Sequence, residues 1–368
     1  MANRSVRIGI IGCGQIAQQH LKNYANIPEA DVVACADILP AAADNTAERF
    51  GIPNVYYTVA DMLKRDDLDA VDVCLHNNLH VSGTRAVLER GLHCYCEKPM
   101  AGSYRDAETM LQISRETGKM LHIQLGMIYS DEARAARELI DAGELGELYH
   151  ARSTGFRRRG RPFVDGYGKP AFVQKQNSGG GALYDMGVYH ISQILYLLGN
   201  PTITRISGNT YQKLPMNEAR RAEAGYSVEE LATGYVRFEG DLTLDIIEAW
   251  AVNLGGLDGS CILGTRGGII LNPFSFHRTV GEVDLNATSN LESSRFRWNT
   301  VHGEKELFTS SQAHWVAALL GKTSLLPTAE IALNTMLVST GIYLSAERGC
   351  EVSAEEVKSH SVSLAIPL

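Results

Sequence analysis

Residues 6–127 alternate short apolar runs with amphipathic stretches, and this alternation limits the fold more than any other feature of the chain. VRIGIIG (6–12), DVVACAD (31–37), NVYYT, AVDVCLH (70–76), HCYCEKP (93–99) and LHIQLGM (121–127) have the length and near-continuous apolarity of strands buried on both faces. Helix-length segments lie between them. On GQIAQQHLKNYANI, residues Ile16, His20, Tyr24 and Ile27 fall near one stripe. PAAADNTAERFG and HVSGTRAVLERG each end on glycine, and VADMLKRDDL lies between them. SYRDAETMLQISRETGK opens on Ser103, with Asp106 placed as in a capping box. Strand–helix repeats of this length need crossovers of one hand and therefore a parallel sheet.

After Met127 the pattern changes. SDEARAARELIDAGELG reads as a helix capped by Ser130, and LYHARSTGF as a strand. A loop rich in Arg, Gly and Pro spans 157–181. TITRISGNTY, ELATGYVRFE, LTLDIIEAWAV and GSCILGTRGGIILN then follow as strands, with hairpin turns at Gly240-Asp241 and Arg266-Gly267-Gly268. Helices near 312–321 and 328–348 come last. The expected architecture is an α/β domain over 1–126, then an α+β domain over 127–368. The second domain carries an open, mostly antiparallel sheet with helices on one face.

The net charge of −8 argues against a nucleic-acid or anionic-membrane binder. No apolar run approaches the roughly 18 residues of a membrane span. Seven cysteines are scattered, and Cys94 and Cys96 form a lone CxC without the second pair of a zinc site. No metal centre is expected. Reduced thiols and the lack of a signal-peptide pattern lead to an expected cytoplasmic location.

Gly12-Cys13-Gly14-Gln15-Ile16-Ala17 is GxGxxA, placed directly after a buried strand and at a helix start. Gly12 permits the tight turn, Gly14 lets the backbone approach a pyrophosphate, and Ala17 allows close helix–strand packing. The free N–H groups of the helix start, at Gln15 and Ile16, face the phosphates. Asp37 ends the second strand 23 residues past Gly14. A carboxylate there accepts from ribose hydroxyls and repels a 2′-phosphate, so NAD is expected over NADP. Asp37 also has an alternative role as a cap for the helix after Pro40.

Glu97-Lys98-Pro99 follows the fifth strand, on the edge where open α/β sheets bind ligands. A lysine there favours an alkoxide and lowers the pKa of a neighbouring acid. Further on, Ser178-Gly179-Gly180-Gly181-Ala182-Leu183-Tyr184-Asp185-Met186-Gly187-Val188-Tyr189-His190 leads into the apolar helical stretch ISQILYLLG. On a helix Asp185 and Tyr189 share a face, while His190 points about 140° away from Asp185.

These motifs, with the Asn77 to His80 stretch after the fourth strand, resemble those of the Gfo/Idh/MocA oxidoreductase family, in that family's order and over essentially the whole chain. The resemblance implies a Rossmann domain followed by an open-sheet domain, and NAD(P)-dependent redox chemistry on sugars, inositols or related polyols. It implies frequent homodimers or homotetramers. It also implies that Lys98 lies at the reacting carbon, and that Asp185 and Tyr189 face the substrate. Many members have His where Tyr189 stands; the tyrosine matches the glucose–fructose oxidoreductase and dihydrodiol dehydrogenase branches. Leu75-His76 replaces the usual Thr-Pro. Tyr189 or His190 is therefore the expected proton carrier, the latter with the natural pKa for the task. Asn77, His80 and Glu97 are expected at the cofactor, and Arg157 and Lys175 at the substrate. The run Arg157, Arg158, Arg159, Arg161 reads either as a solvated loop or as a grip on an anionic group. Three other activities stay open: a glycosidase that retains its NAD, an enzyme passing hydride between two sugars on one retained cofactor, and a non-catalytic NAD-binding sensor.

Overall fold

The structure, a computed structural model, describes residues 5–302 and 307–368. The first sheet contains β1 (Val6–Ile11), β2 (Ala30–Ala36), β3 (Asn54–Tyr56), β4 (Ala70–Val73), β5 (His93–Cys96) and β6 (Leu121–Ile123). Its order is β3-β2-β1-β4-β5-β6, and every pair is parallel. Helices cover both faces, so the central strands have no solvent side. Ile8, Ile10, Val71 and Val73 are fully buried. The order reverses between β1 and β4, and in open α/β sheets a crevice opens at such a switch point. Ser103 accepts from the Asp106 N–H, as its spacing predicts.

Ser130 likewise caps the helix Asp131–Asp141, which leads into the second sheet. That sheet contains β7 (Leu148–Phe156), β8 (Ile203–Tyr211), β9 (Leu231–Phe238), β10 (Thr243–Ala249), β11 (Cys261–Gly264), β12 (Gly268–Leu271), β13 (Phe274–Val280), β14 (Val283–Thr288) and β15 (Val352–Ser353). The order is β14-β13-β12-β11-β7-β10-β9-β8-β15, with only β7–β10 parallel. The helices Val188–Leu197 and Thr328–Arg348 pack on one face. Ile342 fills the space a side chain at Gly234 would need.

Several elements differ from the sequence expectation. β13 and β14 extend the sheet, and the helices Glu218–Ala224, Leu291–Thr300 and Ala354–His360 are additional. The helix expected from Val59 is a single turn, Val59–Met62. Ile16 does not join His20 and Tyr24 in the core but is 37% exposed at the mouth of the first helix. A π-helical turn, Leu183–Gly187, precedes the α-helix Val188–Leu197.

The last third of the chain also returns to the first sheet. Trp315, fully buried on the helix Ser311–Leu319, packs 5.2 Å from the Tyr95 ring. The Tyr95 hydroxyl donates to Ser311 Oγ at 2.9 Å. The segment 362–368 is fixed by Leu364 N–H on Asp106 and Ile366 N–H on the Asn78 carbonyl.

Candidate active site

The switch-point edge begins at Gly12. Its φ is +88°, and a Cβ there would lie 2.5 Å from the Cys74 carbonyl oxygen. Only glycine fits both demands. Gly14 has no atom within 4 Å of where a Cβ would stand. The helix Gln15–Tyr24 starts there with no side-chain cap and no acidic residue in its first turn. Gly14, Gln15 and Ile16 are exposed, so the orphan N–H groups and the positive helix end meet open space. Asp37 accepts from the Cys13 N–H at 2.8 Å through Oδ2 and from the Leu39 N–H at 2.9 Å through Oδ1. It therefore ties the glycine loop to β2 and also shapes the next helix start. A carboxylate offers about four acceptor sites, so ribose hydroxyls still find room. Ile38 and Leu39, 81% and 64% exposed, add an apolar ledge that fits the flat face of an adenine. These residues fit a dinucleotide.

At the end of β5, Lys98 Nζ donates to Asp185 twice: to Oδ1 at 3.2 Å and to its carbonyl at 3.1 Å. The same ammonium lies 4.4 Å from the Tyr189 ring centroid. Asp185 Oδ2 accepts from Trp250 Nε1 at 2.9 Å, with Arg157 3.5 Å away. Arg157 also donates to the Tyr167 hydroxyl. Burial opposes the charge on Lys98, but Asp185, Tyr189 and Glu97 outweigh it and hold the ammonium above its ordinary pKa. Burial pushes Asp185 up, yet Lys98 and Arg157 bring it below the usual carboxylate range. For Tyr189, burial wins over Lys98 and raises the phenol above its ordinary value. The group is a cation, a carboxylate and a neutral phenol. Asp185 and Tyr189 share a face toward Lys98, as their spacing predicts.

Behind Lys98 runs a buried polar chain. Glu97 Oε2 accepts from the Lys98 N–H at 2.6 Å, and Oε1 faces His20 Nε2 at 3.1 Å. His20 Nδ1 meets Asp72 Oδ2 at 2.8 Å, which also accepts from Tyr24 at 3.0 Å. Burial opposes charge on His20, but Asp72 and Cys74 raise its pKa well above the ordinary value. With a carboxylate at each ring nitrogen, the imidazolium supplies both donors. Burial, helped by Asp72, pushes the Cys74 thiol up to about 12.

The glycine-rich segment is anchored by Glu229. Its carboxylate accepts from the Gly181 N–H at 2.9 Å, the Leu183 N–H at 3.0 Å and the Tyr343 hydroxyl at 2.8 Å. A Cβ at Gly181 would lie 2.1 Å from the Glu229 carbonyl oxygen, and one at Gly180 equally close to Tyr343 Oη. Asn77 Nδ2 donates to the Ser178 carbonyl at 2.8 Å, so this loop joins the two domains.

Other candidates lie elsewhere. His190 turns to Glu248, with Nδ1 3.0 Å from Oε2. His80 is fully buried, its ring nitrogens on the Pro99 and Leu75 carbonyls, which leaves it supporting the Lys98 loop from behind rather than facing a cofactor. Lys175 is exposed on a single-turn helix, and no side-chain partner is seen among the described residues. The arginine run divides: Arg157 reaches Asp185, Arg158 and Arg159 are exposed, and Arg161 is buried between Asp165 and Glu230. His20, Asp72, Trp250, Glu229 and Glu248 gave no local sequence signal, because each acts through a partner far along the chain.

A switch-point edge open to a dinucleotide and carrying Lys98, faced by Asp185 and Tyr189 of a second domain, defines a two-domain dinucleotide-dependent oxidoreductase. The chain belongs to the Gfo/Idh/MocA oxidoreductase family. Residues 6–125 match the family's oxidoreductase model with an NAD-binding Rossmann fold, and residues 133–270 match its GFO/IDH/MocA C-terminal domain. NAD is thus the cofactor class of the fold. D-glucoside 3-dehydrogenase of Escherichia coli (strain K12) is 27% identical over 360 residues, covering 96% of this chain and 98% of that protein. A dTDP-3,4-didehydro-2,6-dideoxy-alpha-D-glucose 3-reductase of Streptomyces violaceoruber is 33% identical over 198 residues, 54% of this chain and 56% of that protein. Among solved structures, levoglucosan dehydrogenase in complex with NADH and levoglucosan superposes with a TM-score of 0.79 at 19% identity, covering 95% of this chain and 100% of that one. Among the described residues no helix is long and apolar enough to cross a membrane.

Proposed function

We propose that this oxidoreductase acts on a secondary hydroxyl of a sugar ring, with a glucoside as the leading substrate class and NAD as the partner. The observation that carries the reading is the Lys98 ammonium, buried between the Asp185 carboxylate and the Tyr189 ring at the dinucleotide edge. The full-length likeness to a D-glucoside 3-dehydrogenase supports the substrate class.

When bound, NAD supplies the acceptor for the hydride leaving the hydroxyl carbon. Lys98 donates to the substrate oxygen and favours its alkoxide. Tyr189 as phenolate takes the hydroxyl proton during oxidation; as phenol it returns the proton in the reverse direction. Asp185, fixed by Trp250 and Arg157, accepts from a neighbouring hydroxyl and orients the ring. Gly12, Gly14, Gln15 and Ile16 cradle the phosphates, Asp37 takes the ribose and Asn77 lines the nicotinamide side, while Glu97, expected at the cofactor, instead braces the Lys98 loop from behind. His190, engaged by Glu248, stands outside proton transfer.

Seven free thiols, five of them buried, support a cytoplasmic enzyme. The face of the second sheet turned away from the helices, with Tyr235 exposed on it, supports a homodimer or homotetramer. The change of sheet between β6 and β7 supports the division at 126/127. A nicotinamide absorbance screen with NAD and NADP against glucosides, hexoses and inositols tests the reading. Reduction of NAD by a glucoside supports it, and silence across the panel with NAD demonstrably bound overturns it.

A further inference from the structure

The loop that follows β7 is tied down at many points between residues 157 and 173. Arg161 is buried; Asp165 accepts from its N–H at 2.8 Å and its Nε at 2.9 Å, and Glu230 takes its other end at 2.9 Å. Phe163 stands at φ +60°, with its N–H on the Tyr167 carbonyl and its ring 4.4 Å from the Arg220 guanidinium. A phenylalanine in that region is strained and persists only where its surroundings fix it. Val164 and Val173 are buried in one cluster with Trp250, whose Nε1 holds Asp185. The segment between them therefore presents Tyr167 in a fixed place.

That place is beside the Lys98 group. The Tyr167 hydroxyl donates to the Gly160 carbonyl at 2.6 Å and accepts from Arg157, whose guanidinium lies 3.5 Å from Asp185 Oδ2. Two contacts thus lead from the phenol oxygen to the carboxylate that holds Lys98. Burial lifts the phenol to about 12; Arg157 and Lys98 lower it and Asp185 raises it, so all three lie within electrostatic reach. Asp185 and Arg157 keep 29% and 40% of their side chains exposed, and Tyr167 is 45% exposed. The three bonded neighbours border one opening. With both sides of the hydroxyl engaged, Tyr167 offers that opening its ring.

A pyranose carries hydroxyls around its rim and C–H groups on its faces. Lys98 and Asp185 answer the rim, and neither supplies an apolar surface. The Tyr189 ring is taken by Lys98, and Trp250 is buried. A neutral aromatic ring with a negative π-face suits the C–H groups. We propose that the ring of Tyr167 is the platform on which one face of the sugar rests while its rim hydroxyls meet Lys98 and Asp185. This rests on the sugar reading above and deepens it: the substrate is a neutral pyranose, and Tyr167 sets affinity for it without touching the reacting atoms.

The test loads the enzyme with NADH, which blocks oxidation, and titrates it calorimetrically with methyl glucoside. Tyr167→Phe keeps the ring and is expected to bind within about twofold of the wild type. Tyr167→Leu and Tyr167→Ala lose the flat face and are expected to bind about tenfold more weakly. In turnover the loss falls on KM for the glucoside, while kcat and KM for NAD stay near the wild-type values. Phe172→Leu alters the other exposed ring of the loop, 49% exposed, and leaves glucoside affinity unchanged. Melting temperatures check folding. Unchanged affinity in the Leu and Ala variants overturns the inference, as does an equal loss in Tyr167→Phe, which would assign binding to the hydroxyl tie with Arg157. If the wild type binds the glucoside and the flat face proves dispensable, only this inference fails. If the wild type binds no glucoside, the sugar reading fails with it.

Discussion

Lys98 and Asp185 are joined twice, ammonium to carboxylate and ammonium to carbonyl, across 87 residues of sequence. The bond links the loop after β5 of the parallel sheet to a π-helical turn of another domain. Neither element makes a site alone: the lysine needs a carboxylate to stay charged while buried, and the carboxylate needs the lysine for the same reason.

Tyr189→Phe keeps the ring beneath Lys98 and removes only the hydroxyl. Because Tyr189 titrates above its ordinary value, oxidation by the wild type should rise with pH into the alkaline range as phenolate forms. The variant should lose about 10²–10⁴-fold in kcat, together with that rising limb. A pH–rate profile checks both, and a limb that persists in the variant would assign the proton to another group.

Asp37→Ser removes the charge that opposes a 2′-phosphate. Discrimination of NAD against NADP should fall by about fivefold or more, the scale of one unit-charge repulsion of about 1 kcal/mol at about 4 Å through water. The variant also weakens the side-chain acceptors of two backbone N–H groups, those of Cys13 and Leu39, so about 1 kcal/mol of stability should go with it. Paired kcat/KM values for the two cofactors give the result.

Glu229→Gln halves the acceptor capacity that holds Gly181, Leu183 and Tyr343. A cost of about 1–3 kcal/mol in chemical denaturation is expected. Activity should fall as well, since the same segment carries Asp185.

His20→Leu strands Asp72 and Glu97 without a counter-charge, at a cost of about 3–5 kcal/mol. The folded-state pKa of His20 is raised, so its contribution is complete below the ordinary histidine value and is lost as pH rises through the raised one. The stability gap between wild type and variant should therefore narrow toward alkaline pH. A gap that widens would show that His20 is neutral in the fold.

What the sequence revealed follows from how local each signal is. Gly12, Gly14 and Asp37 were legible because a buried strand, a tight turn and a helix start are contiguous. Asp185 and Tyr189 were legible through helical spacing, which the π-turn left intact in its effect. Buried partners were not legible: His20 meets Asp72 and Glu97 at separations of 52 and 77 residues. Arg161 is chemically the same as exposed Arg158 and Arg159, and only the placement of Asp165 and Glu230 decides that it is buried. β14 (VDLNAT) does alternate apolar and polar residues, but it is an edge strand with all six residues exposed, so the alternation points to no core. His80 carried a family motif's position, but two backbone carbonyls claim its ring.

The central claim is that Lys98 acts on the reacting oxygen and does not merely hold the domains together. Lys98→Met tests it when turnover on a reducing glucoside pool and NAD affinity are measured on the same preparation. Turnover should drop by about 100-fold or more while NAD affinity changes little; the melting temperature falls as the ion pair is lost, but Arg157 and Trp250 still hold Asp185 and the protein stays folded. Near-wild-type turnover would contradict it.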